Sequence, residues 1–281
     1  MKKVLSAVLA LVLILSAVAA FASCGKKKGV TIAIPNDPTN EARALALLEV
    51  QGLITLKKDL DTTATVKDIA ENPYNITFKE AEAALLPNLL KDVDYAVINS
   101  NYAIEAGITP FVTEGTNVSY PNIIAVKDGN QTKNKIKALV AAINSKAVAD
   151  YINNTFKGAI VCDLKNVTAD GIDASVNYED LKGTTITVAA SPTPHADILK
   201  EAKKILAGKD ITLDIKEYSD YVIPNEVVEN GEVDANYFQH VPYMTNFNEE
   251  KGTHLVSVLE VHHEPMGVYS DKNTSFDAIK K

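Results

Sequence analysis

Tryptophan is absent from the 281 residues, cysteine occurs twice, and of 28 basic side chains only Arg43 is arginine. Two cysteines cannot build a disulfide framework or a cysteine-based zinc cluster. A formal net charge of −8 excludes a general electrostatic grip on nucleic acid, which needs an excess of lysine and arginine. The chain also lacks Gly-x-Ser-x-Gly, His-Glu-x-x-His and a phosphate loop, and no carboxylate pair stands out. No catalytic residue is therefore assigned, no cofactor is expected, and the chain is not expected to be an enzyme. What remains is an ordinary globular composition, 46% hydrophobic and 23% charged. The length allows one large domain or two moderate lobes.

The beginning of the chain reads as an address. Lys2 and Lys3 precede an uncharged apolar run over 4–22, which ends on Phe21-Ala22-Ser23-Cys24. A basic start, an apolar middle and small residues before the break make a secretory signal. The last four residues resemble the bacterial lipobox, in which the cysteine becomes the new N-terminus and carries lipid. Phe21 stands where that pattern usually has Leu. Cys24 is thus the expected lipidation site, and the body is expected on the extracytoplasmic face of the cell membrane. Cys162 then has no partner and reads as a small buried apolar residue.

Two segments open alike. The apolar run 29–34 passes through a Pro-rich turn into a helical pattern over 40–50. The run 183–190 passes through Ser191-Pro192-Thr193-Pro194 into a helix expected from about 195 to 207. Further strands are expected at 77–80, 95–98, 122–126, 212–218, 235–238 and 254–261. Helices are expected at 65–71, 81–90, 101–106, 134–143, 145–156 and 225–230. Strands alternating with helices indicate α/β lobes with covered sheets. The polar stretch 165–182 reads as a surface connection between two folded portions.

Arg43 closes the run Pro35-Asn36-Asp37-Pro38-Thr39-Asn40-Glu41-Ala42-Arg43. Thr39 or Asn40 can cap the helix that follows. In its first turn an arginine is electrostatically misplaced unless an anion sits beside it. A guanidinium next to free N–H groups makes a bidentate clamp for a small carboxylate; a surface pair with Glu41 or Glu82 is the plainer alternative. The segment Asp234–Tyr243 places two tyrosines, a phenylalanine and a histidine close together, with Tyr218 and Tyr221 upstream. Such aromatics suit an apolar side chain of a small ligand or, equally, core packing. His195, His240, His254, His262 and His263 are the five histidines. His262 and His263 on one strand point to opposite faces, and no metal ligand set is assigned.

Several stretches resemble the methionine-binding lipoproteins that deliver substrate to an ATP-driven importer. Among them are Pro35-Asn36-Asp37-Pro38-Thr39-Asn40, Ala96-Val97-Ile98-Asn99, Asn122-Ile123-Ile124-Ala125-Val126, Thr193-Pro194-His195-Ala196-Asp197, Phe238-Gln239-His240 and Glu264-Pro265-Met266-Gly267. The resemblance implies a two-lobed α/β fold of the periplasmic-binding-protein (type II) kind, closing over one amino acid in the cleft. It implies that Arg43 grips the ligand carboxylate and that Asn99 and Asn122 bind its amino and carboxylate groups, with Asn40 a neighbouring contact. It places Tyr221, Phe238, His240 and Tyr243 around the thioether. His263 stands where relatives commonly have an apolar residue. In relatives the segment resembling 185–270 comes first and the segment resembling 29–164 follows, so this chain is expected to be circularly permuted.

The expected organisation is a signal peptide over 1–23, a lipidated tether over 24–28 and a lobe carrying Arg43 over 29–121, with 271–281 packing on it. A second lobe covers 122–270 and includes the 165–183 connection. The expected partners are L-methionine or a related amino acid, permease and ATPase subunits, and the membrane through lipid on Cys24. The competing expectations are another apolar amino acid, a methionine-containing dipeptide, or a non-transport sensor or adhesin on the same scaffold.

Overall fold

The computed structural model describes residues 29–58, 63–115 and 120–280; the signal peptide, tether and Cys24 lie outside these. The described chain opens on β1 (Thr31–Pro35), in which Ile32, Ala33 and Ile34 are fully buried. A strand covered on both faces reads as a continuous apolar run, because neither face has to be polar. Helix α1 (Pro38–Val50) follows and starts earlier than the sequence suggests. Its cap is Asp37, not Thr39 or Asn40: the Asp37 carboxylate accepts the Asn40 N–H at 3.0 Å. Pro38 takes the first helical position, where a missing N–H costs nothing. Arg43 therefore lies in the second turn, beyond the N-terminal field.

Two short strands, β2 (Thr55–Leu56) and β3 (Ile69–Glu71), pair antiparallel. The helix expected over 65–71 is a single 3₁₀ turn, Val66–Asp68. Thr65 and Asp68 cap each other as a helix start would, but Ile69 leaves to pair with Leu56. Strand β4 (Thr77–Ala81) holds Ala81, so the expected helix 81–90 shrinks to a 3₁₀ turn and α2 (Leu86–Leu89), with Pro87 in its opening turn. Next come β5 (Tyr95–Ile98), α3 (Ser100–Glu105), β6 (Val112–Thr113) and β7 (Pro121–Lys127). Helices α4 (Asn134–Ile143) and α5 (Lys146–Phe156) lead to β8 (Val161–Cys162) and β9 (Thr185–Ala190). The chain continues through α6 (Asp197–Ala207), β10 (Thr212–Glu217), α7 (Ile223–Glu229), β11 (Ala235–His240) and α8 (Val241–Lys251). It closes on β12 (Leu255–His263), β13 (Gly267–Tyr269) and α9 (Asp277–Lys280).

Two mixed sheets result, in the strand orders β4-β1-β5-β13-β6 and β10-β9-β11-β7-β12-β8. Each has a parallel part built from strand–helix units and antiparallel additions on one side. The first core joins Ile32, Ile34, Leu45 and Leu48 to Tyr95, and to Phe276 and Ile279 from the end of the chain. The second joins Ile124, Leu139, Val148, Val188, Leu199 and Tyr237. Strand β13 belongs to the first sheet, although its residues fall inside the stretch 122–270. The chain thus passes between the sheets twice among the described residues, from β6 to β7 and from β12 to β13.

The connection 165–183 is seated more firmly than its polar composition suggests. Val176 and Leu181 enter the second core, and Thr168 bridges to Ser145. Gly171 has φ +71°, and a Cβ there would come within 2.9 Å of Ile205 Cδ1 and 3.1 Å of Ser145 Cβ. Gly171→Ala should therefore cost about 1–3 kcal/mol, from both the backbone conformation and the overpacking. A urea midpoint equal to that of the parent would show that the connection is loosely held. Cys162 is half-buried at the edge of the same core, and burial pushes its thiol pKa up. Among the described residues no helix is long and apolar enough to cross a membrane.

Candidate functional site

A narrow cavity lies between the two sheets. Its walls are the ends of elements that point at one another: the carboxyl ends of β1, β5 and β11 and the amino end of antiparallel β7. Ligands in open α/β sheets bind at such edges. All eight residues singled out as ligand-binding candidates line it: Asn40, Arg43, Asn99, Asn122, Tyr221, Phe238, His240 and Tyr243. Ser100, Asn101, Gln239 and Glu264 also line it, and none of these was singled out from the sequence.

One end is aromatic. Tyr221, Phe238 and Tyr243 stand with ring centroids 5.6–5.9 Å apart, in tilted and edge-to-face arrangements. Tyr243 donates its hydroxyl to the Tyr221 carbonyl at 2.9 Å, and the Tyr221 hydroxyl donates to Asn101 Oδ1 at 2.6 Å. That second bond, with Tyr102 donating to the Ser219 carbonyl at 2.9 Å, ties the first sheet's helix α3 to the loop before α7. Satisfying the hydroxyls on the rim leaves the ring faces free for apolar contact. His240 caps α8, its Nδ1 accepting the Tyr243 N–H at 3.1 Å. Burial, with Arg43 nearby, pulls its pKa down to about 3, so it packs as a neutral ring.

The other end is polar, and Arg43 is not free in it. Its Nε and Nη2 donate to the two Glu114 carboxylate oxygens at 2.7 and 2.6 Å, and Nη2 also donates to the Glu264 carbonyl at 2.6 Å. Glu114 additionally accepts the Met266 N–H at 2.8 Å. The Tyr120 ring lies 4.5 Å from the guanidinium carbon. The carboxylate partner is therefore Glu114, which comes from 71 residues away, not Glu41 or Glu82. Glu41 is turned toward the Val66 N–H. No local spacing in the sequence could have announced that pair. The two N–H groups of Nη1 take part in no hydrogen bond among the described residues.

Three asparagines are fixed by their neighbours. Asn99 Nδ2 donates to Asn40 Oδ1 at 2.8 Å, and Asn40 Nδ2 in turn donates to Asp37. Burial raises the Asp37 carboxyl, against the hydrogen bonds from Asn40 and Thr39. Asn122 Oδ1 accepts from His195 Nε2 at 2.9 Å. Two buried polar atoms on the wall have no partner among the described residues: Asn99 Oδ1, an acceptor, and Asn101 Nδ2, a donor.

Behind the polar end lies the one cluster among the described residues with a metal-ligating composition, His195, His262 and Glu264, all buried. His262 Nδ1 accepts from Tyr237, and Nε2 donates to Glu264 Oε1 at 2.8 Å. Atoms bound to one tetrahedral zinc stand roughly 3.3 Å apart, given Zn–N and Zn–O near 2.0–2.1 Å. The 2.8 Å contact and the 2.9 Å His195–Asn122 contact are hydrogen bonds, and the cluster is built as a hydrogen-bonded network. Burial drives the His195 pKa down to about 3, Glu264 notwithstanding. For Glu264, burial alone would raise the carboxyl, but the His262 hydrogen bond and nearby positive charge bring it below the ordinary carboxylate range. His263 points to the other face and pairs with Asp163 at 2.8 Å; His254 pairs with Glu229 on the surface.

The pattern of the NlpA lipoprotein family matches residues 22–163 and 186–281. Outer membrane lipoprotein 3 of Mannheimia haemolytica is 45% identical over 139 residues, 48% of this chain and 53% of that protein. The probable D-methionine-binding lipoprotein MetQ of Pasteurella multocida is 40% identical over 137 residues, 47% of this chain and 50% of that protein. A solved nutrient binding protein from Burkholderia cenocepacia, bound to methionine, is 44% identical. The match covers 47% of this chain and 57% of that one, with a TM-score of 0.45. The chain spans about half the length of the curated relatives it matches.

Proposed function

The chain belongs to the NlpA lipoprotein family, and on that premise we propose that it captures methionine between its two sheets and hands it to an importer. The observation that carries this reading is the polarity of the cavity. A box of three aromatic rings faces a polar end holding Arg43, Asn99 and Asn122, which suits a zwitterion with an apolar tail. Arg43 offers its free Nη1 to the carboxylate, the asparagines take the remaining polar groups, and Tyr221, Phe238 and Tyr243 wrap the thioether. The protein binds without catalysing a reaction. A lipid on Cys24 tethers it to the extracytoplasmic face of the membrane, where permease and ATPase subunits receive the ligand. The names of several relatives support this reading.

The reading includes an exchanged segment order. The family pattern stops on either side of 164–185, and that stretch runs along the second lobe as the connection. Each of the curated matches described takes in about half the chain. The division into lobes at 29–121 and 122–270 belongs to the same proposal, with β13 crossing back to the first.

Calorimetric titration of the full chain in mild detergent tests the function, after unfolding and refolding to strip carried ligand. L-methionine, D-methionine, other apolar amino acids and methionyl dipeptides form the panel. Tight heat with methionine alone is the expected result. Response to a different amino acid would move the specificity, and silence to the whole panel would sink the transport reading.

A further inference from the structure

The carboxylates at the polar end are engaged unequally. Arg43 is a cation, but Glu114 takes it in a bidentate pair. Glu264 is a buried carboxylate on the cavity wall, and among the described residues no lysine or arginine donates to its carboxylate oxygens. On Oε1, His262 donates at 2.8 Å, and His195 Nε2 lies 3.5 Å away while donating to Asn122. No hydrogen bond among the described residues ends on Oε2. A carboxylate with one unengaged oxygen thus borders the space the ligand would fill. A cationic ligand group placed there meets a charged acceptor in a buried setting, where charge-assisted hydrogen bonds are strongest.

A second observation points the same way. Asn99 Oδ1 is buried, faces the cavity and accepts nothing. Its orientation is not open to reversal, because its Nδ2 is committed to Asn40 Oδ1. On the same wall Asn101 Nδ2 is a donor without an acceptor, held in place by the Tyr221 hydroxyl on its Oδ1. An α-amino acid carries a group for each: three N–H donors on its ammonium and two acceptor oxygens on its carboxylate. The orphan acceptor and the unengaged Glu264 oxygen call for the ammonium, while the orphan donor and Arg43 Nη1 call for the carboxylate.

We infer that Glu264 is the counter-ion of the ligand's α-ammonium group, with Asn99 Oδ1 as its second acceptor, so that the site selects primary ammonium compounds over amino-less or N-acylated ones. This inference rests on the reading that a free amino acid occupies the cavity. It adds a requirement that Arg43 alone does not impose, since an arginine clamp would accept any carboxylate with a thioether tail.

The test is calorimetry on the full chain with three probes: L-methionine, 4-(methylthio)butanoate and N-acetyl-L-methionine. The parent protein should prefer methionine over both others by roughly 30-fold or more, the factor expected when one partner of a buried charge pair is missing. Glu264→Gln keeps the shape and removes the charge. It should weaken methionine by a similar factor while leaving the amino-less acid nearly unchanged, so that the preference collapses. Glu264→Asp, shorter but still charged, should retain most of the preference. A purely structural role for Glu264 would weaken all probes together and leave their ratio intact, and that result overturns the inference. So does a parent protein that binds methionine and 4-(methylthio)butanoate equally, a measurement that needs no variant to fold. A parent that binds no amino acid overturns the proposed function and this inference with it.

Discussion

Arg43→Ala should lose both ligand binding and a large part of the protein's stability. The alanine leaves Glu114 as a buried carboxylate that keeps only the Met266 N–H, and breaking a buried pair in this way costs about 3–5 kcal/mol. It also removes the proposed charge-assisted grip on the ligand carboxylate, which should weaken methionine by about 2–5 kcal/mol. The two losses can be separated. Replacing both members with apolar residues, Arg43→Met with Glu114→Leu, removes the buried charges together and should recover most of the urea midpoint. Binding should not return. Glu114→Gln makes the complementary case, lowering stability while leaving the guanidinium available to the ligand. An Arg43→Ala protein with parental midpoint and parental methionine affinity would end both assignments.

Acid should destabilise the fold well before the carboxylates titrate. His195 and His240 have pKa values near 3 in the folded protein, against about 6.5 in an unfolded chain. Between those limits the unfolded state binds more protons, so stability is full above about pH 6.5 and falls as the pH drops toward 3. At pH 5 each histidine accounts for a loss of about 2 kcal/mol, or about 4 kcal/mol together. Glu264, lowered in the fold, acts in the same direction further into acid. Asp37 and Glu41, raised by burial, oppose it there, because the folded protein takes up their protons first. Urea titrations at pH 7.5 and pH 5 read the difference directly. Equal midpoints would mean that the two rings are solvated or already protonated, and His240→Gln should remove about half of any pH dependence.

The parts of this molecule legible in its sequence are those set by local rules. The apolar runs around Ile32–Ile34 and Ile186–Val188 could only be covered strands, and α4, with its apolar face, lies within the bounds read from the sequence. Resemblance carried the eight cavity residues, whose positions lie in five separate stretches of chain. What stayed hidden is non-local. The Arg43–Glu114 pair joins residues 71 apart, and Glu264 sat inside a quoted motif without a spacing to mark it as a charge of the cavity. Short strands such as β6 and β13 exist only because a neighbouring strand supplies their hydrogen bonds. The start of α1 was misplaced because Asp37, Thr39 and Asn40 are all competent caps, and only the Asn40 N–H decides among them.

The two passages between the sheets carry a mechanical consequence. Glu114 stands at the start of one and Glu264 on the other, and Arg43 bonds to both. Among the described residues no backbone joins the sheets except at these two passages, so a rigid swing of one lobe on the other would turn beside them. Atoms beside such a hinge axis travel little, so the Arg43–Glu114 pair can persist while the cleft is open. Away from the crossings, side-chain bonds such as Tyr221 to Asn101 and Tyr102 to Ser219 also join the two sheets' elements. Arg43 thus anchors beside the covalent crossings, while the tyrosine bonds join the sheets through side chains alone.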